Sequence, residues 1–508
     1  MLPFILSILV ISMTTSVFLM NLAWVLLLAW WLFSGHWREK WESMKRNRLL
    51  QAFLVLAVVH ALWLIGSQDM ERALFLFQKR LPLVVVPLVV LTSRPLKVWE
   101  QHLVGSVYCI TVLVVSVIGF VRYLTIPDLP YREIVPYISH IRYGLNACLV
   151  IVLLVYCGVH YRRGWLIAVN GVATVWLVYV LLLLHAYTSF VILLLIPLVL
   201  LIVYGGHLSK NTRLGAWGVL TVVVLSLVGV SCCYYRQYYP AQQAATYPVV
   251  TANGNAYDTP MDDFMENGHY LYHEVCTQEL MQQWPRYSDY PYDSVTATGY
   301  PLSSALLRYL NGMGVSKDSV GLTHLSSDDI DAIELGVGNP VYCRIGLRRL
   351  YYTLFFEYDN YRFYHHVAGF TMLQRFELWN NAWHIFLQHP LWGVGTGDVL
   401  SQCQDRMQSL GSPLAAADLN THNQYLNLLV AFGSVGFLLI VLAFARGWIV
   451  SFRVPYNHRS LLFVSYLCIL LVSFISEDTL NTAAGVLFAS VPMVLLQPAE
   501  SGGNGLHD

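Results

Sequence analysis

The sequence predicts an all-α polytopic membrane protein of about twelve transmembrane helices with one large, mainly helical loop on the outer side. Three observations predict it. Of 508 residues, 56% are hydrophobic and only 12% are charged, where soluble domains carry about a quarter charged. Apolar runs of spanning length recur through the chain, and the basic residues between them alternate from loop to loop.

A span needs roughly 20 apolar residues, fewer where it is short or re-entrant. Runs near 2–15, 17–34, 49–66, 81–93, 103–121, 141–158, 165–184, 189–206, 215–233, 423–444, 460–476 and 483–497 meet this description. Backbone in lipid must satisfy its own hydrogen bonds, so these runs read as helices. The N-terminus, MLPFILSILVISMTTS, lacks the basic region of a cleavable signal peptide and reads as a retained first span. One set of loops carries Arg38, Lys40, Lys45, Arg46 and Arg48, then Arg94 and Lys97, Arg162 and Arg163, Lys210 and Arg213, and Arg446, Arg453 and Arg459. The opposite set holds only Arg72, Lys79, Arg80, Arg122 and Arg132, and 185–188 and 477–482 hold no Lys or Arg. The richer set is expected on the cytoplasmic side, with both termini. The expected organisation is a membrane bundle over 1–233, an outer loop domain over 234–422, further membrane helices over 423–497 and a disordered cytoplasmic tail over 498–508.

The outer segment 234–422 is rich in Tyr, Asp, His and Gly and reads as folded. Helical patches are expected near 262–284, 301–312, 345–357 and 367–389. In the last of these Arg375, Trp379, Trp383 and Phe386 recur at three- and four-residue spacing, which predicts an interfacial helix over 370–389. Pro390, Gly393, Gly395 and Gly397 end it in a tight turn, and GVGTGD lacks the spacing and context of a dinucleotide fingerprint. Lys+Arg and Asp+Glu both number 30, so nothing in the global charge points to a nucleic-acid partner. The nine cysteines show no zinc spacing, although Cys276, Cys343 and Cys403 share the outer segment, where a disulfide is permitted. His269, His273 and Cys276 stand at i, i+4, i+7, a thin ligand set without a fourth member, and no metal is expected. His365 and His366 are adjacent and cannot share one helix face. HExxH, Walker and GxSxG motifs are absent from the sequence.

Four features fall at the outer ends of helices. His422 and Asn423 stand where the outer segment re-enters the membrane, and a histidine there is either a base or an interfacial group on lipid headgroups. Arg375, at headgroup level, either grips a phosphate with its planar fork or snorkels to lipid. His140 and Arg142 open a span from the outer side. Glu477 and Asp478 begin the last outer loop, either to orient a histidine or to cap a helix.

The block from Arg375 to Gly397, followed by His422–Asn423 and the run through Gly433 and Gly436, resembles the O-antigen ligase superfamily, which includes O-antigen polymerases and protein O-oligosaccharyltransferases. The likeness is strongest over 375–490, and the stretches GHYLYHEVCTQELMQQW and LLRYLNGMGVSKD look like the outer loop of Bacteroidetes ligase-like proteins. The resemblance implies a GT-C-like glycosyltransferase of the bacterial inner membrane. Its donor would be a glycan on undecaprenyl pyrophosphate and its acceptor lipid A–core, joined at the periplasmic face without cofactor or metal. It also implies roles: His422 activates the acceptor hydroxyl, while Arg375 and, more loosely, Arg142 bind the pyrophosphate, with Asn423, Glu477, Asp478 and His140 in support. One departure stands out. Where many members have an arginine between two central spans, this chain reads HAYTSF, with Tyr187 in its place; His185, Arg344, Arg348 or Arg349 are the candidates to replace it. A polymerase, a protein transferase and, in a different class, a lipid or glycan transporter are the competing functions.

Overall fold

Long uninterrupted runs of Leu, Val and Ile satisfy both helix propensity and the bilayer, and the structure, a computed structural model, turns each of the twelve runs into helix. It describes all residues except 128, 241–246, 344–345, 366–370, 417–418, 453–457 and 499–508, and leaves out the side chains of 449–452 and 458. The tail expected to be disordered, apart from Pro498, therefore lies outside the described residues, as do Arg344, His366 and Arg453.

The helices are α1 (Leu2–Thr15), α2 (Val17–Phe33), α3 (Trp37–Arg46), α4 (Arg48–Leu62), α5 (Met70–Arg80), α6 (Pro82–Thr92), α7 (Val98–Thr125), α8 (His140–Tyr161), α9 (Gly164–Leu183), α10 (Tyr187–Tyr204) and α11 (Lys210–Tyr238). They continue with α12 (Thr277–Gln283), α13 (Leu302–Met313), α14 (Ser319–Leu322), α15 (Ser327–Glu334), α16 (Leu347–Tyr364), α17 (Thr371–Gln388), α18 (Val399–Ser409), α19 (Gln424–Phe452), α20 (His458–Ser476) and α21 (Ala483–Leu496). Among the described residues eight segments are long and apolar enough to cross a membrane. Helices α1, α4 and α21 are shorter and apolar, and α2 reaches that length only with α3, from which it is bent by 117°. The fourth span starts earlier than its apolar run suggests. It extends over Met70–Thr92, because Leu81 keeps helical dihedrals (φ −52°, ψ −38°) between α5 and α6 and Pro82 occupies a first-turn position that needs no N–H.

The chain divides into two compact units, one of Met1–Trp217 with the residues from Arg375 onward, the other of Gly218–Gln374. In the first, α4 packs on α19, α8 on α9, α21 on α6, and α10 on α20. Helix α17 buries Leu378, Asn381, Ala382 and Ile385, while Phe376, Trp383 and Leu387 on the other side stay exposed.

Helix α19 is broken at Gly433, whose φ of 60° and ψ of −172° only glycine adopts readily. The break frees backbone groups that a straight helix would pair internally, and residues 390–395 take them up. Val394 and Gly395 N–H donate to the Val430 and Ala431 carbonyls (2.9 and 3.0 Å), and Ser434 and Val435 N–H donate to Pro390 and Leu391 (2.8 and 3.1 Å). The backbones lie so close that a Cβ on Gly433 would sit 2.3 Å from the Leu391 oxygen. Downstream, Asp398 accepts the N–H groups of Gln68 and Asp69 (2.7 and 2.8 Å) at the start of α5, where a carboxylate suits the helix dipole. Trp63 Nε1 donates to the Trp392 carbonyl (2.5 Å). The glycine-rich turn 390–398 is thus a clasp that joins α17, α19 and the α4–α5 turn.

In the second unit, Leu280, Trp284, Leu302, Leu306, Leu310 and Ile333 form the core. Arg308 makes a buried two-pronged pair with Glu266 (2.9 and 3.0 Å) and lies 3.9 Å from the centre of the Phe356 ring. The helix expected over 262–284 is replaced in its first half by a hairpin, Met265–Glu266 with His269–Tyr270, turned by Asn267 and Gly268 at positive φ. His269, His273 and Cys276 therefore do not share a helix face. All nine cysteines are free thiols, so no disulfide joins Cys276, Cys343 and Cys403. Burial pushes the Cys403 thiol up to about 12, which removes its thiolate character.

Candidate active site

The loop between α20 and α21, Glu477–Thr482, gathers arginine side chains from three other helices of the first unit and anchors the segment that precedes α19. Its shape is set locally: Glu477 N–H still donates to Ser473, Thr479–Asn481 form one 3₁₀ turn, and the Thr482 hydroxyl caps α21 by accepting from Gly485 N–H. Both carboxylates of the loop are buried, so each must be paired.

Asp478 holds the segment that carries His422. One of its oxygens accepts the Thr421 hydroxyl (2.7 Å) and the other the His422 backbone N–H (2.8 Å). Burial keeps the Asp478 carboxyl above the usual carboxylate range, against these hydrogen bonds and the Arg142 charge, which favour ionisation. His422 itself is left-handed (φ 46°), a conformation that costs a non-glycine residue about 1–3 kcal/mol and persists only where surroundings fix it. Two such fixings flank it: Asn423 caps α19 through Leu426 N–H (3.1 Å), and Gln424 accepts Leu480 N–H (2.7 Å). The His422 ring is half-buried, and among the described residues its Nδ1 has no hydrogen-bond partner.

Glu477 joins two guanidinium groups. Arg375, from the second turn of α17, donates to Oε1 (3.1 Å), and Arg142, from the first turn of α8, lies 3.5 Å from Oε2. Arg142 is buried and committed: it also donates to the Thr482 and Thr479 hydroxyls (3.1 and 3.5 Å) and to the Asp478 carbonyl (3.4 Å). Among the described residues Arg375 has one such bond, through Nη2. Of the seven sequence candidates, Arg375, Arg142, His422, Asn423, Glu477 and Asp478 come together here. His140 stands apart in hydrogen bonding. It packs edge-on against Tyr131, which packs against His185, which in turn stacks on Tyr187.

Sequence reasoning passed over Arg80. It was counted only as a loop charge, yet its guanidinium is buried and donates from Nη2 to Asn481 Oδ1 (2.5 Å) within the same loop. Its Nε and Nη1 are buried without a partner among the described residues. The signal was available: an arginine inside a helical span is a functional candidate by default, but only if the span is seen to begin before it.

Fold and site define a multi-pass, predominantly helical membrane protein with a cationic cluster and a histidine at one helix-end turn. Residues 335–441 match a family model described as O-Antigen ligase. The matched residues are thus similar to the O-antigen ligase family, whose members are glycan-transferring enzymes. The match includes Arg375, the clasp, His422 and Gly433, and stops short of the Glu477–Asp478 loop. Among curated proteins none matches the chain.

Proposed function

We propose that this protein moves a glycan from undecaprenyl pyrophosphate to lipid A–core at the periplasmic face of a bacterial inner membrane. The observation that carries the proposal is the meeting of His422, Arg375, Arg142 and Arg80 on one six-residue turn through Asp478, Glu477 and Asn481.

The donor brings its own leaving group. Chemistry then requires that the charge growing on the pyrophosphate be neutralised and that an acceptor hydroxyl be aimed and deprotonated. Arg375, tied by a single bond, has donors left for a phosphate oxygen, and partial burial strengthens its field. Arg142, with its nitrogens already taken up, holds Glu477 and through it Arg375, and Arg80 supplies a second free set of donors. The neutral His422 imidazole accepts the hydroxyl proton, the acceptor oxygen bonds to the anomeric carbon, and the bond from that carbon to the pyrophosphate oxygen breaks, leaving undecaprenyl pyrophosphate. One displacement inverts the anomeric centre. The reaction as written calls on no metal or cofactor.

The test is transfer in vitro from a defined lipid-linked donor to separate acceptors: lipid A–core, a second repeat unit, and a protein. Product on lipid A–core alone supports the ligase; product on either other acceptor assigns the polymerase or the protein transferase instead. His422→Ala should keep its abundance in the membrane and lose about 10²–10⁴ in rate, the usual worth of a general base. Wild-type turnover by that variant removes His422 from the mechanism.

A further inference from the structure

Helix α17 begins with Thr371–Gln374, a turn that contains no Asp or Glu of its own. The N–H groups of a first helical turn have no acceptor within the helix, and negative charge beside them is favourable. Here that charge comes from another helix: the Met372 N–H donates to Glu357 Oε2 on α16 (2.9 Å). Glu357 is buried, so water competes little for the bond. Arg375 is the next residue after this turn, and in helix geometry its N–H pairs with the Thr371 carbonyl. The backbone that carries the guanidinium is ordered only while the first turn is. Helix α16 is itself fixed. Tyr352, Phe356, Asp359 and Phe363 recur at i, i+4, i+7 and i+11 on one face. Tyr352 packs edge-on against Tyr238 (ring centres 5.2 Å apart), and the Arg308 guanidinium lies over Phe356. Asp359 accepts the Tyr239 hydroxyl (2.9 Å), and Phe363 packs edge-on against Phe264 (5.6 Å). At 3.6 residues per turn Glu357 stands about 130° around α16 from that face. One side of α16 thus grips the rest of the second unit, and another grips the start of α17.

We propose that Glu357 is a positioning residue for glycan transfer: it fixes the first turn of α17 and, through that backbone, the Arg375 guanidinium. The proposal rests on the function argued above. Packing alone would call for an apolar side chain at this position, because a buried carboxylate costs stability wherever it is not paired. The charge stands instead where the helix that bears Arg375 has none. This gives the fold of the second unit a part in the reaction, since whatever loosens α16 also loosens the turn before Arg375.

The test uses the full chain in lipid nanodiscs, with hydrogen exchange over 371–376 beside transfer kinetics from a defined lipid-linked donor. Glu357→Ala should lose about tenfold in amide protection there and raise the donor KM about tenfold, with the acceptor KM unchanged within about twofold. Glu357→Gln keeps the acceptor oxygen without the charge and should raise the donor KM about threefold; being of the same size, it carries the test if Glu357→Ala does not accumulate. Thr371→Asp, which supplies a carboxylate from within the first turn, should restore protection and donor KM in either variant. In an Arg375→Ala background Glu357→Ala should change the donor KM by less than about twofold, because its effect runs through that side chain. A full rise in that background, no rescue by Thr371→Asp, or a wild-type donor KM in both Glu357 variants each overturns the proposal. If the wild-type protein moves no glycan yet Glu357→Ala loses protection that Thr371→Asp restores, the functional reading fails while the brace on α17 stands. Transfer with an unchanged donor KM in the Glu357 variants sinks the positioning role alone.

Discussion

Replacing Asp478 by Asn separates positioning from stability. The carboxylate accepts two donors on different oxygens, the Thr421 hydroxyl at 2.7 Å and the His422 N–H at 2.8 Å. A carboxamide offers one oxygen, so its NH₂ must face either the His422 N–H, which can only donate, or the Thr421 hydroxyl, which can turn to accept it and donate to the Asn423 carbonyl instead. A hydrogen bond to a charged group contributes about 1.5–3 kcal/mol. If the loss falls on His422, whose left-handed backbone already stores strain, about 2 kcal/mol of ordering disappears and kcat falls about 30-fold. Global stability moves the other way, because a neutral amide is cheaper to bury than a carboxylate. The expected signature is a thermal midpoint equal to or above wild type, a donor KM unchanged within about twofold, and kcat down by one to two orders of magnitude. Transfer kinetics with a defined lipid-linked donor, beside thermal unfolding in the same detergent, give all three numbers. A kcat within threefold of wild type, or a kcat loss matched by a fall in the midpoint, refutes the reasoning.

Three further outcomes follow from the same structure. Because burial raises the Asp478 pKa in the folded state, the native protein binds that proton at a higher pH than the unfolded chain does. This group's stabilising contribution is full below the ordinary carboxylate pKa and is lost as pH rises through the raised value. The midpoint advantage of Asp478→Asn should therefore shrink on acidification through that window, and a constant advantage refutes the assignment. Arg375→Lys keeps a charge that can reach Glu477 but loses the fork; donor KM should rise about tenfold in the transfer assay with membrane abundance unchanged. Gly433→Ala drives a Cβ to 2.3 Å from the Leu391 oxygen and 2.5 Å from the Trp392 nitrogen, in a conformation reserved for glycine. A cost above about 4 kcal/mol is expected, seen as loss of monodisperse protein on size-exclusion chromatography, and a well-behaved variant refutes the clasp.

Every membrane helix was legible because lipid imposes a length and a composition that few other structures share. Five of the six candidates that come together stood out in the sequence because ionisable residues at the ends of apolar helices are conspicuous, and Asn423 stood out beside His422. Arg80 was not: the apolar run begins at Leu81, and nothing in composition reveals that the helix runs on through it. The Glu266–Asn267–Gly268–His269 stretch carried a hairpin signal, Asn-Gly, that the surrounding aromatic residues obscured in favour of a helix. The tryptophan stripe of α17 was read as its lipid-anchoring face with Trp379, Trp383 and Phe386 in register. The structure buries the Leu378, Ala382 and Ile385 face and leaves Trp383 exposed, with Trp379 and Phe386 half-buried. The glycines of GVGTGD were recognised as a turn, but which backbones they let approach is a fact of tertiary structure, because their partners lie in α19 and before α5.

The clasp also sets an order of biogenesis. The Gln68 N–H must wait for Asp398, made 330 residues later, and Arg80 must wait for Asn481, made 401 residues later. At ordinary translation speeds this leaves the α4–α5 turn open on the order of tens of seconds while the intervening helices enter the bilayer. A nascent chain cut anywhere before the clasp can insert its early helices and still never close. Completion of this one turn is thus a molecular record that nearly the whole polypeptide has been threaded.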